Sequence, residues 1–234
     1  MPGGLRAALL DVDGILVNTE RLYFQSVAES LRPYGVEIGK KEYIERWMIK
    51  QTGTPGVVRD YGLAERLGRP HDDIVGEARR AKDALLDVLI SERLETVPGA
   101  MELLDVLSAY PIGLVSSSTA AEIRRSLGRF SIMERVSFVV SGDEVRETKA
   151  CSSEPYERGI TLHRMKAPDL KPCEVLVVED NPVGVRSAKG AGCVVVGVPF
   201  DFTAEMDFVG ADAVVPSLHE IDEGLLAGLF PDGL

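Results

Sequence analysis

The sequence is poor in the residues on which thiol and imidazole chemistry depend. Its three cysteines, Cys151, Cys173 and Cys193, are scattered and lack Cys-x-x-Cys spacing, which points to a reduced, cytoplasmic protein rather than a thiol-based site. Cys173 and Cys193 flank strand-like segments and read as small buried residues. The three histidines, His71, His163 and His219, share no neighbourhood in the sequence and read as structural or exposed. No apolar run approaches the length of a membrane span, and the opening MPGGLRAALLDVDG has its apolar run cut short by Asp11, so neither a signal peptide nor a membrane partner is expected. Basic residues are also in deficit. With 26 of them against 37 acids the net charge is −11, and without a basic cluster this argues against nucleic acid as a partner. What remains is an ordinary globular composition, 45% hydrophobic and 27% charged, in 234 residues, enough for one large domain or two modest ones.

The stretch LLDVDGILVNTE, Leu9 to Glu20, organises the rest. The run Ala7 to Leu10 has the bulk and brevity of a strand buried in a parallel sheet, and it stops at Asp11, Val12, Asp13, Gly14. Gly14 lets the chain turn away and a ligand approach the backbone. Two carboxylates this close are costly unless a cation or a proton separates them. Such a pair suits phosphoryl transfer with Mg²⁺, one carboxylate attacking phosphorus and the other moving protons. A plain polar turn of Asp and Gly has the same composition.

Downstream, Asn18 to Arg93 contains no convincing strand and reads as an inserted helical block. Its helices are expected near Leu22 to Leu31, over Lys40 to Ile49, from a cap at Thr54 and Pro55, and over His71 to Arg93. From Val97 the texture alternates. Strands are predicted at Ile112 to Val115, Val136 to Val140, Val175 to Val178, Val194 to Val198 and Asp212 to Val215, separated by helices. That pattern implies a parallel α/β sheet, Rossmann-like, with helices on both faces. The carboxyl ends of parallel strands share one edge, so Asp11, Asp13, Ser116, Asp143, Glu179 and Asp180 should converge.

Within that set, Glu179 and Asp180 in VLVVEDNPVG would complete a hard oxygen site for Mg²⁺ with Asp11, although acids also favour a helix start for its dipole alone. Ser116, Ser117 and Ser118 precede a helix with a Thr119/Glu122 capping box and could offer hydroxyls and amides to a phosphate. Lys149 could neutralise phosphate charge, or could be an ordinary solvated loop lysine. Trp47, Lys50, Gln51 and Thr52 lie at a loop tip of the helical block and are the candidates there for touching substrate.

These motifs together resemble the haloacid dehalogenase superfamily of Mg²⁺-dependent phosphotransferases, and within it the phosphoglycolate phosphatase and β-phosphoglucomutase group with a helical cap. LLDVDGILVNTE is similar to the first motif, which implies Asp11 as nucleophile and Asp13 as general acid/base with its backbone carbonyl on the metal. IGLVSSS resembles the second and points to Ser116 as the phosphate-binding hydroxyl, with Ser117 and Gly14 beside it. VLVVEDNPVGVRSAKGAG resembles the fourth and implies Glu179 and Asp180 at Mg²⁺. The third motif departs from the family pattern: TKACSSEPY keeps Glu154, Pro155 and Tyr156, but Lys149 sits one residue farther away and both usual prolines are missing. Asn18 stands where an Asp is common. The cap loop lacks the arginine pattern of the mutases, which favours a phosphatase.

The expectation is an α/β core over residues 1–15 and 97–234 with a helical cap over 16–96. Its activity would be Mg²⁺-dependent hydrolysis of a small phosphorylated metabolite through an aspartyl phosphate, by a monomer or dimer. A phosphomutase is the enzymatic alternative, and a phospho-acceptor regulatory module the non-enzymatic one.

Overall fold

The computed structural model describes residues 4–50 and 52–231. The chain separates into two compact units, one being Thr19–Leu94 and the other the remainder.

The larger unit is built on six parallel strands, β1 (Ala7–Leu10), β2 (Ile112–Val115), β3 (Phe138–Val140), β4 (Val175–Glu179), β5 (Val194–Gly197) and β6 (Ala213–Val214). Their order is β3-β2-β1-β4-β5-β6. Every residue of β1, β2 and β4 is buried, so both faces of the central sheet are covered and the strands can be continuously apolar. In register, Leu10 pairs with Leu114 on one side and Val178 on the other. The residues after these strands therefore leave the sheet at the same level. Because β2 and β4 flank β1 on opposite sides, this is the point where strand order reverses and a crevice opens.

The smaller unit carries α1 (Thr19–Leu31), α2 (Lys40–Tyr43), α3 (Gly53–Asp60), α4 (Leu63–Leu67) and α5 (His71–Arg93). Helices α1 and α5 pack along each other, with Leu22, Val27 and Leu31 buried on the first and Ile74, Leu86 and Ile90 on the second. The larger unit continues with α6 (Ala100–Val106), α7 (Ala120–Leu127), α8 (Glu154–Arg164), α9 (Pro182–Gly190) and α10 (Glu223–Leu229). The Thr119/Glu122 capping box is present at α7, and Asn181 caps α9 by accepting from the Val183 N–H at 2.9 Å. Among the described residues no helix is long and apolar enough to cross a membrane.

Several expectations shift. Lys40 to Ile49 is not one regular helix, because α2 widens into a π-helical turn, Ile44–Ile49, that stacks Trp47 on Tyr43 at 5.4 Å between ring centroids. Helix α3 starts ahead of Thr54, since the Gly56 N–H already bonds to the Thr52 carbonyl at 3.0 Å, and Thr54 is buried within it. The third strand begins at Phe138 because Val136 still ends the 3-10 turn Met133–Arg135. Cys173 is exposed, lying in the turn Pro172–Glu174 ahead of β4, whereas Cys193 is buried. Residues 16–18 and 95–96, which sequence texture places in the helical block, fall in the larger unit: the Leu16 and Val17 N–H groups bond to the Val12 carbonyl, the Asn18 N–H bonds to the Glu95 carbonyl at 3.1 Å, and Val17 bridges to Thr96.

His163 on α8 is buried against the Phe138 ring, and its Nε2–H donates to the Ala8 carbonyl of β1 at 3.1 Å. Burial lowers its pKa below the usual 6.5, although the Ala8 bond works the other way. The unfolded chain thus takes this proton more readily. Stability is whole above about pH 6.5 and falls as pH drops through it, by at most about 1.4 kcal/mol per pH unit for one group. In His163→Gln the fall in thermal midpoint between pH 7 and pH 5.5 should be smaller than in the parent; an equal fall would show that His163 titrates normally.

Candidate active site

The loop that follows β1 places the first acids. Asp11 is the next residue, only 7% exposed, with its N–H still bonded to the Val178 carbonyl of β4 at 3.1 Å. Gly14 then adopts a left-handed φ of +83°, and a Cβ there would overlap the Asp180 carboxylate. Only glycine lets these two loops close on each other. Asp13, half-buried, lies between them and the end of β2.

At the end of β2, Ser116 is buried and its hydroxyl accepts from the Ser118 N–H at 3.0 Å. Both hydroxyls reach Asp13 Oδ2, that of Ser118 at 2.9 Å and that of Ser116 at 3.4 Å. Ser117 is exposed. Asp143, the acid after β3, is exposed as well and accepts from the Ala120 N–H at the start of α7 at 3.0 Å. It caps a helix and is not among the acids that cluster around Asp11.

Lys149 comes from the loop between β3 and α8. It is buried, not solvated, and its Nζ donates to Asp11 Oδ1 at 2.6 Å and to Glu179 Oε1 at 2.7 Å. The loop that lacks the usual prolines still delivers its amine between two acids. Burial would lower the Lys149 pKa, but the charges of Asp11 and Glu179 outweigh it and hold the ammonium above its ordinary value. Glu179, the last residue of β4, is 1% exposed and also accepts from the Tyr156 hydroxyl on α8. Gly184 of α9 packs so tightly on Glu179 that a Cβ would overlap its carboxylate.

Asp11, Glu179 and Asp180 each bring one carboxylate oxygen to within 4.8 Å of the others'. Burial, together with the charges of Glu179 and Asp13, pushes the Asp11 carboxyl up to about 7 in spite of Lys149. Three hard oxygen donors with surplus negative charge fit a small divalent cation, whose binding would favour the ionised form of Asp11.

Trp47, Lys50 and Thr52 belong to the helical unit. Lys50 is exposed and pairs with Glu45, while Thr52 Oγ1 is buried with no hydrogen-bond partner. Gln51 lies outside the described residues. Three contributors to the larger unit's site carried little signal of their contacts. Ser118 belongs to the serine run already singled out, but its bond to Asp13 rather than to a phosphate is not marked in the sequence. Tyr156 stands in the EPY match but gives no hint of its partner. Thr203, fully buried in the loop after β5, donates to the Asp180 backbone carbonyl at 2.7 Å, and nothing in the sequence marks it.

A family model described as haloacid dehalogenase-like hydrolase matches residues 8–198. The protein CbbY of Rhodobacter capsulatus is 29% identical over 228 residues, covering 92% of this chain and 94% of that one. A probable pseudouridine-5'-phosphatase of Saccharomyces cerevisiae is 31% identical over 208 residues, covering 85% and 84%. Among solved structures, CbbY from Rhodobacter sphaeroides in complex with phosphate aligns with a TM-score of 0.66 at 25% identity, over 92% of this chain and 96% of that one.

Removing the buried ammonium would leave Asp11 and Glu179 facing each other uncompensated. Lys149→Met should therefore cost about 3–5 kcal/mol in urea unfolding at pH 7 with chelator present. A loss under about 1 kcal/mol would mean that other groups already balance the two acids.

Proposed function

Since the chain belongs to the haloacid dehalogenase-like hydrolase family, we propose that it hydrolyses small phosphomonoesters with Mg²⁺ through an aspartyl phosphate on Asp11. The observation that carries this reading is the juxtaposition at the β1 and β4 ends. A buried carboxylate, Asp11, meets a buried ammonium, Lys149, and shares a cation-sized cluster of oxygens with Glu179 and Asp180.

In this reading an Asp11 oxygen attacks phosphorus as the bond to the ester oxygen breaks, and Asp13 gives its proton to the departing alkoxide. Asp13, now a carboxylate, takes a proton from a water whose oxygen attacks the aspartyl phosphate. The bond from phosphorus to Asp11 breaks, releasing inorganic phosphate and the free carboxylate. Ser118 donates to Asp13 Oδ2 at 2.9 Å and so fixes where the proton leaves and returns, while the Ser116 hydroxyl, 3.4 Å from that oxygen, turns its single proton to the transferring group when substrate binds. Lys149, the Ser116 and Ser117 positions and the backbone at Gly14 take the oxygens of the transferring group, where catalysis is largely positioning and charge stabilisation. The ion would be held by Asp11, Asp180, Glu179 and the Asp13 backbone carbonyl, and when bound it supplies positive charge against the phosphoryl oxygens.

Relatives named for dephosphorylating small metabolites, including a phosphorylated carbohydrates phosphatase of Thermotoga maritima and the probable pseudouridine-5'-phosphatase of Saccharomyces cerevisiae, support a small phosphate ester as substrate. Selectivity for the alcohol is assigned to the inserted helical unit, with Trp47, Lys50 and Thr52 as its candidate residues.

With Mg²⁺ the protein should release phosphate from an aryl phosphate and lose that activity in chelator. Asp11→Asn should lower the rate roughly a thousandfold or more. Asp13→Asn should lose more on an alkyl than on an aryl ester, because a phenolate leaves without a proton, by roughly 10²–10⁴ on the former. Undiminished turnover in Asp11→Asn would remove the nucleophile. Isomerisation of a hexose phosphate without net phosphate release would make the enzyme a mutase, and a lasting phospho-Asp11 without turnover a regulatory acceptor.

A further inference from the structure

Glu179 is held in an unusual way for an acid expected to meet a cation. Both side-chain donors that reach it, the Tyr156 hydroxyl and Lys149 Nζ, meet the same oxygen, Oε1. The carboxylate cannot swing to relieve this, because the backbone of α9 at Gly184 lies directly against it. Tyr156 is equally constrained. It is fully buried in the cluster with Leu9, Val115, Ile160 and Val177, and its ring lies 5.2 Å from Lys149 Nζ. A tyrosine hydroxyl facing a carboxylate can only donate, so the contact fixes the orientation of Glu179.

We propose that Tyr156 is a positioning residue of this site: with Lys149 it occupies Oε1 of Glu179, so that this acid meets a divalent cation through one oxygen only, which favours Mg²⁺ over Ca²⁺. The chemistry follows from ion size. Mg²⁺ demands a tight octahedral shell and takes carboxylates through single oxygens, whereas Ca²⁺ accepts more ligands and readily uses both oxygens of one carboxylate. An acid with one oxygen already committed to two donors suits the smaller ion. Without the hydroxyl, Lys149 alone holds Oε1, and Lys149 is also shared with Asp11. Oε1 then has one donor fewer and can itself be shared with a larger ion beside the second oxygen, without the carboxylate turning, and Lys149 is drawn from Asp11 towards Glu179.

This inference rests on the proposed metal-dependent reading, and the experiment separates the two. Mg²⁺ and Ca²⁺ affinities are measured by calorimetry on the full chain without substrate, for the parent, for Tyr156→Phe and for a control truncation one turn along the same helix, Ile160→Val. The parent should bind Mg²⁺ and prefer it to Ca²⁺. Tyr156→Phe should reduce that preference about fivefold or more, with kcat on an aryl phosphate falling more than KM changes, while Ile160→Val leaves the ratio of affinities unmoved. An unchanged ratio in folded Tyr156→Phe, or an equal change in Ile160→Val, overturns the role of Tyr156 and leaves the phosphatase reading standing. A parent that binds neither ion overturns both. If Tyr156→Phe does not fold, Tyr156→4-aminophenylalanine, which keeps the ring and a donor at nearly the same reach from Glu179, should retain most of the preference, and its failure to do so in a folded protein also overturns the proposal.

Discussion

Carboxylates cannot be gathered at one edge of a sheet unless positive charge or a proton is built in with them. Here Asp11, Asp13, Glu179 and Asp180 stand together and Lys149 is the cation placed among them, at 2.6 Å from Asp11 and 2.7 Å from Glu179. One ammonium against four acids leaves the cluster electrostatically incomplete, and burial first, then the charges of Glu179 and Asp13, hold the Asp11 carboxyl above its ordinary range. The rest of the core answers to this constraint. Parallel strands bring the acids to one level, α8 delivers Tyr156, α9 presses Gly184 on Glu179, and the loop after β5 ties Asp180 through Thr203. Stability and reactivity therefore draw on the same contacts. An interaction that relieves the acids fully would leave nothing for a ligand to do.

Much of this was legible in the residues. The runs AALL and VLVVE are apolar without alternation, which only a strand buried on both faces allows, and each ends in acids. Parallel pairing then forces Asp11 and Glu179 to one edge without knowledge of any distance. The Thr119/Glu122 capping box was equally plain, since its signal is local. Lys149 was ambiguous because a lysine in a polar loop has the same surroundings in sequence whether it is solvated or buried; only tertiary contact decides. Tyr156 and Thr203 were opaque for a related reason. Their partners lie 23 positions away, and a buried hydroxyl reads in sequence as part of a core or of a turn. The π-helical turn at Ile44 was hidden too, since the apolar spacing of Lys40 to Ile49 suits a regular helix and the extra residue is absorbed by the stacking of Trp47 on Tyr43.

The serines after β2 show how little spacing can assign among neighbours. Ser116, Ser117 and Ser118 are chemically the same, yet two of them turn to Asp13 and one is exposed. The turn geometry, with the Ser118 N–H folded back on the Ser116 hydroxyl, makes the distinction. A motif that names one serine thus describes a loop whose backbone has already chosen two.

The chain leaves the sheet-bearing unit and returns to it at adjoining points, with Val17 bridged to Thr96, the Asn18 N–H on Glu95 and the Val97 N–H on Leu16. That narrow doorway joins the 76 residues of Thr19–Leu94 to the sheet-bearing unit at one place in the backbone. Because both ends are clamped by the host's own backbone, an insert of different length or shape could be exchanged there at little cost in loop closure and without disturbing the β1 register.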